Sequence, residues 1–178
     1  STCGVMYDIY RTKCGDFKLS DAYSLKDIEE GNFSFVSLES LFDYEKIKFV
    51  NDYIVKNTVY STQTVTSPHS AYTVAFEGKG VCQGYALLAQ KMFQQLGIEA
   101  QYVVGEVDGE GHAWNLVQLD GQWYHLDVTW NDPLPDRGNE VRYGYFLVSD
   151  THLARDHTWI MADYPSATNE QYAAMNER

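Results

Sequence analysis

The segment 111–132, GHAWNLVQLDGQWYHLDVTWND, constrains the fold of this chain most tightly. Asp120–Gly121 is a strong two-residue hairpin signal, because the favoured turn needs left-handed backbone at both central positions. The residues on either side predict two antiparallel strands, 112–119 and 122–130. With Asp120 and Gly121 as the loop, the register places Trp114 opposite Asp127 and His112 opposite Thr129. Residues 127 and 129 project to one side of their strand. His112 and Asp127 are then diagonal neighbours on one face, with Cβ atoms within roughly 7–8 Å. A carboxylate that hydrogen-bonds one imidazole nitrogen leaves the other free to take a proton from a nucleophile.

Upstream the period is helical. Ile47, Val50 and Ile54 recur at helical spacing and predict an amphipathic packing helix over 44–57. The Ser/Thr-rich stretch 61–70 with Pro68 reads as a loop, a short helix follows at 71–76, and Gly78–Lys79–Gly80 leads into the next element. Tyr85, Ala89, Met92 and Leu96 form one stripe of a helix over 82–96 that Gly97 ends. The period then changes to two. A strand at 98–107 joins the hairpin through a turn at 108–111, and a fourth strand is expected at 143–148. Ser149 or Asp150 caps a short helix through 155. Helices first and an antiparallel sheet after make this an α+β chain. Residues 41–178 form the main domain, with 1–40 as an N-terminal extension or small module built on short strands at 5–10 and 16–19. The tail 166–178 is polar, with room for a last helical turn.

The 178 residues suit one compact domain. A formal net charge of −12, without clustered Lys or Arg, argues against nucleic acid and against an anionic membrane surface. No apolar run approaches the roughly 18 residues of a membrane span. Of the three cysteines, Cys3 and Cys14 bracket a strand-like stretch and would pair as a disulfide in an exported chain. That pairing leaves Cys82 as the free thiol; in a reducing compartment all three stay reduced.

Cys82 opens the helix GVCQGYALLAQ. There the macrodipole favours thiolate, and the early amides lack partners inside the helix. Its own N–H is free to donate to a developing oxyanion, and Gly80 and Gly84 are expected to leave room for a substrate backbone. A lone cysteine is more often a small buried hydrophobe, and a lone histidine a solvated or core residue. His125 shares the Asp127 face but leaves its strand parallel to the carboxylate and points to it poorly. His152 and His157 lie near Asp156 with no nucleophile close in sequence, and His69 sits in the loop. The weight rests on three elements together: a helix-opening Cys82, a strand-opening His112 and Asp127 in hairpin register.

GVCQGYA, then GHAWN, then WYHLDVTWND resemble the bacterial form of the transglutaminase-like superfamily, as do YFLVSD and DHTW further on. The resemblance runs over about 46–165. It implies a papain-like core with the nucleophile's helix packed on the antiparallel sheet that carries His and Asp. It implies Cys82, His112 and Asp127 as a catalytic triad that attacks a peptide or carboxamide carbonyl and forms a thioester. Water then gives a peptidase or amidase, the preferred outcome here, and an amine gives a crosslinking enzyme. The substrate is a protein or peptide. Tyr60, Gln63 and Tyr72 are in reach as a second oxyanion donor; Gln83 follows the nucleophile and is expected to point away. Trp114 and Trp130 flank the site, as a shield over the His–Asp pair or as walls of a substrate channel.

No Cys/His set has zinc spacing and no calcium-loop pattern is present, so no metal or cofactor is expected. The family branch and the Cys3–Cys14 pair favour a secreted or cell-surface bacterial protein, with a cytoplasmic one as the alternative. Two other functions stay open. One is a non-catalytic cell-surface binding or structural module that retains the triad. The other is acyl transfer to an arylamine, as in another papain-like family whose hairpin motifs this chain matches less well.

Overall fold

A computed structural model describes residues 43–172. The expected Cys3–Cys14 disulfide, the module at 1–40 and the end of the tail lie outside the described residues.

The chain first builds its helical side. Helix α1 (Asp43–Asn57) buries Ile47, Val50 and Ile54 completely, the stripe its spacing predicts. A two-residue strand β1 (Val59–Tyr60) pairs in parallel with β2 (Lys79–Gly80), bracketing the loop and helix α2 (Ala71–Glu77). Ser70 caps α2 by accepting the Thr73 N–H, and Gly78 ends it at a φ of 65°. Helix α3 (Cys82–Gln95) then runs through the centre with Tyr85, Ala89 and Met92 at 0% exposure. Full burial of such a large apolar side chain contributes about 1.5–3 kcal/mol.

The sheet follows. Strands β3 (Ala100–Val107), β4 (Glu110–Leu119), β5 (Gln122–Leu126), β6 (Phe146–Val148) and β7 (His157–Thr158) lie in the order β6-β5-β4-β3-β7. Neighbouring strands are antiparallel. Both hairpin turns, Asp108–Gly109 and Asp120–Gly121, have positive φ at both positions, the geometry that favours Asp-Gly. The register is the expected one, with Leu119 paired to Gln122 and Asn115 to Leu126. Val117, Leu119, Tyr124 and Leu126 join the core shared with the helices. Val103, Trp114 and Leu116 form a second cluster with Val148, Leu153 and Ala167 on the other side.

Three expected strands are shorter than the pattern suggested. The strand at 98–107 starts at Ala100, and the one at 143–148 is reduced to Phe146–Val148, where Leu147 has a φ of 53° and a register shift interrupts pairing with β5. The third matters for the site. The strand expected over 122–130 stops at Leu126, and Val128–Asn131 form a short helix, α4. Asp127 is the reason: its Oδ1 accepts the Trp130 N–H at 3.2 Å, an N-cap that competes with extended backbone. Ser149 caps helix α5 (Asp150–Leu153) in the same way, accepting the His152 N–H.

Candidate active site

Cys82 stands at the first position of α3, after Val81, which offers no side-chain cap. The amides of the first turn are therefore open to other acceptors. The pairing of Tyr60 with Gly80 ties β1 two residues before the nucleophile. Gly80 and Gly84 do not make room for substrate. A Cβ at Gly80 would lie 2.5 Å from the Val74 Cγ2, and one at Gly84 would lie 2.9 Å from the Pro68 carbonyl oxygen. The glycines let α2 and its loop pack directly against the nucleophile's helix.

His112 enters from the start of β4. Its Nε2 lies 2.6 Å from Asp127 Oδ2, and its ring also hydrogen-bonds the Cys82 sulfur. Since Nε2 faces the carboxylate, Nδ1 is the nitrogen left for sulfur. The early end of β5 contributes here. Because β5 pairs with β4 only as far as Asn115, Ala113 has no ladder partner on that side, and its N–H reaches the Cys82 sulfur.

These contacts set the protonation. Burial opposes ionisation of Cys82, but the hydrogen bond and charge of His112, with the N–H groups of Ala113 and Gln83, bring the thiol below its ordinary pKa. Burial likewise disfavours charge on His112; Asp127 and Cys82 outweigh it and push the imidazole up to about 10. Asp127 is fully buried, yet the two histidines that contact it, His112 and His157, keep its carboxyl below the usual range. Both shifts run in the direction of a thiolate beside an imidazolium.

The structure thus brings Cys82, His112 and Asp127 together. Tyr60 is beside them: its hydroxyl meets the Cys82 backbone N–H, and its pKa is raised by burial and by the Cys82 charge. Trp114 is 1% exposed and packs on His112, His125 and His157, so it shields and lines no channel. Trp130 meets His157 and Tyr145 edge to face and His112 at a tilt, as the partly exposed half of that shield. Gln63, Tyr72 and Gln83 have exposed side chains, and Tyr72 packs on Phe76. Gln83 takes part through its backbone alone.

His157 is the residue the sequence reading passed over. Its Nε2 lies 2.9 Å from the same Asp127 Oδ2 that His112 contacts. Only the pairing of β7 with β3, Val107 with His157, carries it there. The DHTW string marks the position but says nothing about its partner. His125 is turned away, between the Trp114 indole and Asp150. The ligand-capable atoms of His112, Asp127 and His157 lie within 4.8 Å of one another. They are already hydrogen-bonded to each other, and a cation would have to break those bonds.

The sequence profile of the transglutaminase-like superfamily matches residues 38–128, about half of the chain. The chain belongs to this superfamily. Among curated proteins it is 36% identical over 93 residues to the kyphoscoliosis peptidase of Mus musculus, covering 43% of this chain and 14% of that protein. The kyphoscoliosis peptidase of Homo sapiens matches at 36% over 96 residues with the same coverage. The chain therefore spans a small part of the length of these relatives. Among solved structures, a candidate cysteine protease from Cytophaga hutchinsonii aligns at a TM-score of 0.47 and 21% identity, over 73% of this chain and 49% of that one. A structure described as a TGase aligns at 0.45 and 20%, over 70% and 37%.

Proposed function

We propose that this superfamily member is a cysteine-dependent acyl transferase that acts on a peptide or carboxamide carbonyl, with hydrolysis as the main outcome. The carrying observation is the continuous contact from the Cys82 sulfur through His112 to Asp127, with the thiol pKa lowered and the imidazole pKa raised. The Cys82 thiolate attacks the carbonyl carbon. The oxyanion that forms displaces the Tyr60 oxygen from the Cys82 N–H and is held by that N–H, with the Tyr60 O–H turned to donate to it. His112 gives its Nδ1 proton to the leaving amine, and a thioester remains. Water, deprotonated by His112, then releases the acid. Asp127 keeps the His112 ring oriented and stabilises its charge.

The half-buried position of Cys82 supports this reading over a silent binding module, because the residue is not sealed in the core. The peptidase names of the mouse and human relatives support a protein substrate. The test is cleavage of an unfolded protein such as reduced casein, with and without a primary amine. Cleavage that Cys82→Ala abolishes, with little amine incorporated, is the expected result. Amine incorporation without cleavage would make the chain a crosslinking enzyme. Cleavage retained in Cys82→Ala would overturn the proposal.

A further inference from the structure

We propose that His157 is a fourth member of the site, a positioning residue that holds the Asp127 carboxylate in the orientation from which Oδ2 reaches His112. The inference rests on the reading of Cys82, His112 and Asp127 given above.

Asp127 is 0% exposed, so its charge depends on the donors around it. Three are present: the Trp130 N–H on Oδ1 at 3.2 Å, and the rings of His112 and His157 on Oδ2 at 2.6 and 2.9 Å. Without His157, one donor to each oxygen would remain, and nothing but the helix cap and the His112 ring itself would resist rotation of the carboxylate. A carboxylate that turns or takes up a proton stops stabilising the His112 imidazolium, and the thiolate loses its partner.

His157 is itself over-determined. Its Nδ1 faces Asp156 Oδ1, and Asp156 also accepts the Tyr145 hydroxyl. Both ring nitrogens thus face carboxylate oxygens, and the ring is held from two sides. Trp114, Trp130 and Tyr145 enclose it at centroid distances of 5.2, 4.8 and 5.4 Å. From Cys82 through His112, Asp127 and His157 to Asp156, acidic side chains and imidazoles alternate. A residue needed for packing alone would not require a donor toward Asp127 and an acceptor behind it.

The test compares His157→Leu, which keeps bulk without a donor, with His157→Gln, which restores an N–H near the Nε2 position. The readouts are the pH profile of Cys82 alkylation by iodoacetamide and the melting temperature. In His157→Leu the acid limb should move up by about one pH unit or more, about a tenfold loss of rate at pH 6. His157→Gln should recover most of that loss, whatever either variant does to the melting temperature. A wild-type profile in folded His157→Leu would overturn the proposal, as would equal losses in both variants. If His157→Leu does not fold, Asp156→Asn decides, because Asp156 is partly exposed and touches the site through the His157 Nδ1, with Tyr145→Phe as the control for its other bond. A smaller upward shift supports the proposal, and an unchanged profile overturns it. A wild-type protein with no reactivity at low pH would instead refute the triad reading itself, and this proposal with it.

Discussion

The indole Nε1–H of Trp114 donates to Nδ1 of His125 at 3.0 Å. That bond fixes the tautomer: Nδ1 accepts, so Nε2 carries the proton and donates to Asp150 Oδ1 at 2.8 Å. A second proton on His125 would have to displace the indole. Burial, the largest cause, brings its pKa from 6.5 to about 4. Since the fold disfavours the protonated ring, the stabilisation is complete above pH 6.5 and is lost as pH falls through about 4. Melting temperature followed over that window should drop in the wild type, and the slope should flatten in His125→Gln. Equal slopes in both proteins would contradict the assignment.

Gly105 pairs with His112 across the β3–β4 ladder, and a Cβ there would lie 2.2 Å from the Thr158 carbonyl oxygen and 2.5 Å from the Trp114 ring. Neither neighbour can retreat, because one is backbone and the other is 1% exposed. Gly105→Ala should cost about 1–3 kcal/mol or more in urea unfolding and push β7 off β3. Since β7 carries His157, the low-pH reactivity of Cys82 should weaken as well. Gly109→Ala is the contrast: it meets no atom within 4 Å and is opposed only by its φ of 80°.

Tyr85, buried in the first turn of α3, donates its hydroxyl to Asp132 Oδ2 at 2.7 Å. Burial raises Asp132 from 3.8 to about 6 despite that bond. A carboxyl raised in this way contributes stability below about 3.8 that is lost as pH rises through about 6. Tyr85→Phe removes the donor to the ionised form, so its cost of about 1–3 kcal/mol should be greater above pH 6 than below it. A cost independent of pH would show that the hydroxyl matters only for packing.

Much of this arrangement is legible in the sequence, because local chemistry dictates it. Asp120–Gly121 imposes the register, and the register puts His112 and Asp127 on one face. What escapes is set by competition or by distant pairing. The hairpin pattern makes Asp127 a strand residue, yet its side chain caps α4 and ends β5, and this frees the Ala113 N–H for sulfur. Nothing in the alternating pattern signals that the carboxylate prefers an amide three residues on. His157 is thirty positions from its partner and arrives by a two-residue strand too short to show a period. Gly80 and Gly84, by sequence alone, suggest space for substrate. The side chain that fills the space, Val74, belongs to a helix whose docking no local rule predicts.

The central claim is that His112, oriented by Asp127, holds Cys82 as a thiolate. It is tested most directly by the pH dependence of Cys82 alkylation by iodoacetamide in the wild type and in His112→Ala. The wild-type thiol should react well below its free pKa of about 8.5. In His112→Ala burial remains as the main influence, and the low-pH reactivity should disappear. Profiles that coincide, or a wild-type thiol that reacts only near its free pKa, would contradict the account.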